Sequence, residues 1–259
     1  MIEGMIDPRL RDRVAVITGT DNALGIGAAI ARALARQQVR LLLVNPPGAV
    51  DHLTPSLRAD GHTAHAITAD LADPASPERI YDEAEARLGP VQILVNNAAH
   101  NDPDTFTRAR GARPVSAASL DAHHAVNTRA PALLMAQHHR RHQQRRDEWG
   151  RIITLSTDAA DGAPGEISYW ATKNALESLS RSAAAEFGSA GITVNIIAPG
   201  PVQTGWISRD NTTRFAEFSP LRRVGHPEDI ADIAVFLASH QARWLTGQTL
   251  YAGGGKRMT

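Results

Sequence analysis

Seven short apolar runs, spaced along the chain with longer amphipathic stretches between them, constrain the fold more than any other feature. They are VAVIT at 14–18, RLLLV at 40–44, TAHAI at 63–67, VQILVN at 91–96, RIITLS at 151–156, ITVNII at 192–197 and QTLYA at 248–252. Each has the length and β-branched or leucine-rich character of a buried strand. Between them the spacing predicts helices over about 25–37, 51–60, 75–88, 119–143, 168–188 and 228–239. Apolar strands alternating with helices call for a parallel sheet, because a crossover helix returns each strand in the same direction and covers a face of the sheet. The expected fold class is therefore α/β, a doubly wound seven-stranded parallel sheet with helices on both faces.

No composition shift or Pro/Gly/Ser tract marks a linker, so a single domain over 1–259 is expected. Lys plus Arg equals Asp plus Glu, 27 against 27, which leaves no basic field to hold nucleic acid or an acidic membrane surface. The absence of cysteine excludes disulfides, thiolate catalysis and Cys-based metal sites. His138 and His142 stand one helical turn apart in QHHRRHQQRRDEWG, but no third ligand accompanies them, so this reads as a basic helix end and no metal is expected. The start, MIEGMIDPRLRDR, lacks the apolar core of a signal peptide, and the expectation is a cytoplasmic protein acting on small molecules.

Chemistry concentrates in three residues. Tyr169 and Lys173 lie four apart at the start of SYWATKNALESLSRSAAAEF, which places them on one helix face. A phenol titrates near pH ~10, so a tyrosine that exchanges protons at neutral pH gains from a nearby cation, and Lys173 is placed to be that cation. Ser156 closes the strand run RIITLS, so its hydroxyl is expected at a strand's carboxyl end, where open parallel sheets bind ligands. The first strand runs into TGTDNALGIG at 18–27 and then a helix; Gly19, Gly25 and Gly27 permit a tight turn that leads a pyrophosphate to the helix N-terminus.

With these motifs, together with NNAA at 96–99, APGPVQT at 198–204 and TGQTLYAGGG near the end, the chain resembles the short-chain dehydrogenase/reductase family, in the branch similar to 3-oxoacyl-carrier-protein reductases. The resemblance implies a Rossmann-type domain that binds NAD(P), and a catalytic set of Asn127, Ser156, Tyr169 and Lys173. Tyr169 would exchange the proton, Ser156 would hold the substrate oxygen, and Lys173 would lower the tyrosine pKa and meet the nicotinamide ribose. Asn127 would hold a water linking Lys173 to solvent. Cofactor contacts are implied for Gly19, Gly25, Ile26, Gly27, Asn45, Asp70, Leu71, Asn97 and Ala98, for Tyr169 and Lys173 again, and for Pro199, Gly200, Val202 and Thr204. Asn96 would support the cofactor ribose and the central sheet.

The chain departs from the family pattern at three places, one of them Ala99, where glycine is commoner. Five residues, Thr20 to Leu24, separate the first two glycines where relatives usually have three, and Ala252 stands where relatives commonly have aspartate. The second strand run leads into Asn45 rather than an acid. This favours NADP slightly over NAD, while Asp21 in the long turn could restore repulsion against the 2′-phosphate. The expected activity is reduction of a ketone, with a catalytically silent nucleotide sensor or an alcohol dehydrogenase as alternatives. The substrate is a small carbonyl or alcohol compound, and the resemblance implies a homodimer or homotetramer. The irregular stretches 100–118 and 201–227, with Trp170 and Trp206, are candidates for the substrate surface, and Glu166 is read as a solvated loop carboxylate.

Overall fold

A computed structural model describes residues 7–107 and 113–258. The strands β1 (Val14–Thr18), β2 (Arg40–Asn45), β3 (Ala64–Thr68), β4 (Ile93–Asn96), β5 (Gly150–Leu155), β6 (Ile192–Pro199) and β7 (Thr249–Ala252) form one sheet in the order β3-β2-β1-β4-β5-β6-β7. Every pairing in it is parallel. The winding direction reverses between β1 and β4, so the loops that leave these strand ends diverge and open a crevice at the sheet's carboxyl edge.

The helices are α1 (Ile26–Arg36), α2 (Leu53–Ala59), α3 (Ser76–Leu88), α4 (Ala117–His124), α5 (Ala130–Arg145), α6 (Ile167–Phe187), α7 (Arg209–Glu217) and α8 (Pro227–Ala238). Strand alternation sorts the core into two layers. Ala15 and Ile17 pack with Ile30 and Leu34 of α1, Leu57 of α2 and Ile230 of α8. Val14 and Val16 pack on the opposite face with Ile80 of α3, Leu134 of α5 and Phe187 of α6. Each fully buried Leu, Ile or Phe contributes about 1.5–3 kcal/mol of transfer free energy, which is why the central strands are apolar on both faces.

The structure corrects three local expectations. The predicted helix at 119–143 is divided into α4, a wide π-helical turn at Ala125–Arg129, and α5. The stretch 201–227 contains α7, whose N-cap Ser208 accepts the Asn211 N–H. The stretch 100–118 pairs Asp104–Thr105 with Arg113–Pro114 in a short parallel ribbon and holds the start of α4, while residues 108–112 lie outside the described residues. No described helix is long and apolar enough to cross a membrane.

Candidate active site

The turn after β1 is shaped by two glycines. Gly19 has φ +73°, in the region that favours glycine, and a Cβ there would come within 2.7 Å of the Ala98 Cα. A Cβ on Gly27, in the first turn of α1, would collide with the Gly19 carbonyl and press on the Asn97 amide. The close fit lets α1, with Gly25 as its N-cap and Ile26 as its first residue, aim its unpaired N–H groups at the crevice. These features are the backbone cradle that a dinucleotide pyrophosphate requires, and the residues present fit such a group.

Residues after β4 brace this turn. The Thr18 hydroxyl accepts the N–H groups of Asn97 and Ala98, both at 3.1 Å. Asn97 Nδ2 donates to the carbonyls of Thr18 at 2.9 Å and Gly19 at 2.8 Å. The structural brace is thus Asn97, while the Asn96 carboxamide is buried with neither polar atom partnered. The two side chains diverge because neighbouring residues at a strand end face opposite ways.

Two cavities flank the turn. One, of about 320 Å³, is lined by Gly19, Asp21, Asn45, Asp70, Leu71, Asn97 and Ala98, among others. The other, of about 280 Å³, is lined by Ile26, Ser156, Thr157, Tyr169, Trp170, Pro199, Gly200, Val202, Thr204 and Trp206, with Asn101 and Glu166 at its edge. Asn22 of the long turn reaches across and donates to the Thr204 carbonyl at 3.0 Å. Glu166 is not simply solvated, since its Oε1 accepts from Asn101 Nδ2 at 3.2 Å.

Tyr169 and Lys173 project from the first turns of α6. Glu166, the N-cap of α6, makes no capping bond; Asp104 supplies it from the 100–118 stretch. Its Oδ1 accepts the Ser168 N–H at 2.9 Å, and its Oδ2 accepts the hydroxyls of Ser168 and Ser119, both at 2.5 Å. Burial acts to raise the Asp104 pKa, but these three hydrogen bonds, together with the nearby His123, outweigh it and hold the carboxyl below its usual range. A carboxylate at a helix N-terminus also complements the helix dipole. No local pattern points to Asp104, because its partners lie 15 and 64 residues away.

Lys173 is buried, and its Nζ donates to the Leu155 carbonyl at 2.7 Å. Burial lowers its pKa to about 8. The ammonium lies 5.5 Å from the Tyr169 ring centroid. Burial first, and the Glu166 carboxylate second, hold the Tyr169 phenol above its ordinary value. Tyr169 therefore keeps its proton at neutral pH.

Ser156 reaches the strand end as expected, with its hydroxyl turned under α6. Thr154 faces α6, where its Oγ1 accepts from Ser180 at 3.3 Å. Ser156, two residues on, follows the same side and donates to Glu177 Oε1 at 2.7 Å. Glu177 is buried in turn and meets Arg181 at 3.2 Å. Thr157 is partly exposed in the same cavity wall; its Oγ1 accepts weakly from the Ala159 N–H at 3.4 Å, so its own proton is uncommitted. Sequence reasoning missed both Thr157 and Glu177, although Glu177 stands four residues beyond Lys173 on the same helix face.

Asn127 lies in the π-helical turn, a distortion frequent at functional sites. Its Oδ1 accepts the His100 N–H at 2.7 Å, and its Nδ2 donates to the His100 carbonyl at 2.9 Å and to Thr172 Oγ1 at 3.1 Å. The amide thereby joins the loop after β4 to α6. Among the described residues no group of three or more His, Cys, Asp or Glu could hold a metal ion.

Comparison with known proteins agrees with this geometry. Residues 19–257 match the protein-family model described as enoyl-(acyl carrier protein) reductase. The oxidoreductase YjdA of Bacillus subtilis is 33% identical over 249 residues, covering 95% of this chain and 97% of its own length. Versicolorin reductase stcU of Emericella nidulans is 32% identical over 266 residues, covering 95% and 96%. A solved structure of a blue fluorescent protein from a metagenomic library, in complex with NADPH, superposes with a TM-score of 0.83 at 31% identity, covering 95% of this chain and 98% of that one. A further solved structure, from Agrobacterium tumefaciens, shares the fold with a TM-score of 0.87 at 23% identity, covering 98% and 100%. The chain belongs to the short-chain dehydrogenase/reductase family and is an NAD(P)-dependent oxidoreductase of that family. The narrower resemblance to 3-oxoacyl-carrier-protein reductases has looser support, since the matching model carries the enoyl-reductase description.

Proposed function

We propose that this protein is a ketoreductase in which Tyr169 donates a proton to the carbonyl oxygen of a small-molecule substrate. The reading rests on Tyr169 sharing one cavity wall with Ser156 and Thr157, beside the β1/β4 crevice. A bound NAD(P)H supplies the hydride for the carbonyl carbon. Gly19, Gly25, Ile26 and Gly27 would receive its pyrophosphate, Asn45, Asp70, Leu71, Asn97 and Ala98 its adenosine half, and Pro199, Gly200, Val202 and Thr204 its nicotinamide half.

A general acid must hold its proton until the alkoxide develops. Tyr169 is suited to this, with a phenol kept above its ordinary pKa by burial and by Glu166. Once the proton has left, the Lys173 ammonium favours the phenolate across the 5.5 Å to its ring. The substrate oxygen also needs a fixed donor. Ser156 commits its proton to Glu177, whereas Thr157, the next residue on the same wall, has a proton to give. We therefore assign the oxygen-holding role to Thr157 and a positioning role to Ser156, in place of the expected role for Ser156. Trp170 and Trp206 offer apolar surface to the rest of the substrate.

The test is to follow nicotinamide absorbance with NADH or NADPH and a panel of ketones, comparing wild type with Tyr169→Phe. Turnover should fall by about 10²–10⁴-fold with dinucleotide affinity retained. Undiminished turnover in the variant would refute the role of Tyr169. Dinucleotide binding with no wild-type turnover across the panel would favour a nucleotide-sensing protein.

A further inference from the structure

We propose that Asp21, carried on the lengthened first turn, makes this protein selective for NAD(H) over NADP(H); the inference rests on the dinucleotide reading of the crevice. Sheets of this kind discriminate at the adenosine ribose. An acid accepts a hydrogen bond from the 2′-hydroxyl of NAD, whereas a nearby arginine accommodates the 2′-phosphate of NADP. The acid ordinarily stands at the end of the second strand. Here that place is Asn45, and its Oδ1 is already occupied, accepting from the Thr20 N–H at 3.3 Å and from Thr20 Oγ1 at 2.7 Å.

Those two bonds relocate the acid. They fasten Thr20, only 2% exposed, to the end of β2, and the next residue, Asp21, then emerges in the wall of the cavity it shares with Asn45, Pro46 and Asp70. A carboxylate thus reaches the β2 end from the turn instead of from the strand. The five residues between Gly19 and Gly25 supply the necessary length.

Among the described residues no Arg or Lys lines the cavity wall to offset it. The ionisable groups lining the cavity are Asp21, Asp70 and His100. Guanidinium groups on neighbouring elements are turned to backbone carbonyls: Arg32 donates to Ala23 at 3.1 Å and Arg129 to Ala72 at 2.5 Å. A 2′-phosphate would meet carboxylates without a partner, while a 2′-hydroxyl would find an acceptor. At a solvent-exposed rim and a separation near ~5 Å, the repulsion amounts to roughly tenfold in affinity and is screened by salt.

NADH and NADPH are titrated directly, by nicotinamide fluorescence or calorimetry, into wild type, Asp21→Asn and Asp21→Arg, with thermal unfolding as the check that each variant folds. Wild type should bind NADH about tenfold or more tightly than NADPH, with the gap narrowing at high salt. Asp21→Asn should bring the two within about threefold by improving NADPH, and Asp21→Arg should favour NADPH. Equal affinities in wild type, tighter NADPH binding, or a ratio unchanged in Asp21→Asn would each overturn the assignment. Failure of wild type to bind either nucleotide would instead remove the dinucleotide reading, and this inference with it.

Discussion

His138 should make the fold acid-sensitive, to an extent that follows from its surroundings. It is fully buried on α5, with Nδ1 3.0 Å from the Tyr81 hydroxyl, its ring stacked 6.3 Å from that of His142, and Nε2 unpartnered. Among the described residues no carboxylate offsets a charge there. Burial first, then the neighbouring His142, Arg145 and His139, lower its pKa from 6.5 to about 3. The unfolded chain takes up this proton below about pH 6.5, whereas the folded chain refuses it until about pH 3. The stability contribution is therefore complete above the higher value and is lost as pH falls through that window. At about pH 5 the loss from this one group is about 2 kcal/mol. Urea unfolding at about pH 7.5 and pH 5, at one protein concentration, compares wild type with His138→Gln, which can keep a bond to Tyr81. Wild type should lose about 2 kcal/mol more than the variant between the two pH values. Equal losses would show that the buried imidazole is not the group being titrated.

Two further outcomes follow from the crevice. Thr157→Val should lower turnover by about 10²-fold or more at unchanged dinucleotide affinity, as expected for a lost oxygen-binding donor, while Ser156→Ala should cost less than about tenfold. The reverse order in steady-state kinetics would return the role to Ser156. Gly27→Ala should destabilise the fold by about 2 kcal/mol and abolish measurable NAD(P)H binding, because its Cβ has nowhere to go against the Gly19 carbonyl. Denaturation and nucleotide titration read both effects, and near-normal binding would mean that the turn is looser than drawn.

The sheet was legible because its signal is local. All seven apolar runs are strands, β1 with the bounds read from VAVIT, since continuous apolar character and crossover helices leave few alternatives. The π-turn at Ala125–Arg129 was not legible: it adds no residue type that an ordinary helix would refuse, and it is fixed by Asn127 bonding across to His100 and Thr172. α7 was hidden for a different reason. It buries no residue, so hydrophobic periodicity had nothing to report, although Ser208 offered a capping signal. At the site, helical spacing correctly put Tyr169 and Lys173 on one face, but spacing says nothing of where an ammonium finds its acceptor. Nor did the end of RIITLS tell which of two adjacent hydroxyls turns under α6; the alternation from Thr154 does.

The bond from Asn22 to the Thr204 carbonyl joins residues 182 positions apart and spans the mouth between the two halves of the crevice. A lone exposed hydrogen bond is worth about 0.5–1.5 kcal/mol, so thermal motion breaks it in roughly a tenth to a third of molecules at any instant. The strap is strong enough to set the resting width of the mouth and weak enough that an entering guest which requires it undone loses about threefold in affinity when a third of molecules are open, and about tenfold when a tenth are. Lengthening the first turn thereby gives the chain an adjustable entrance, with its reach set by one side-chain amide.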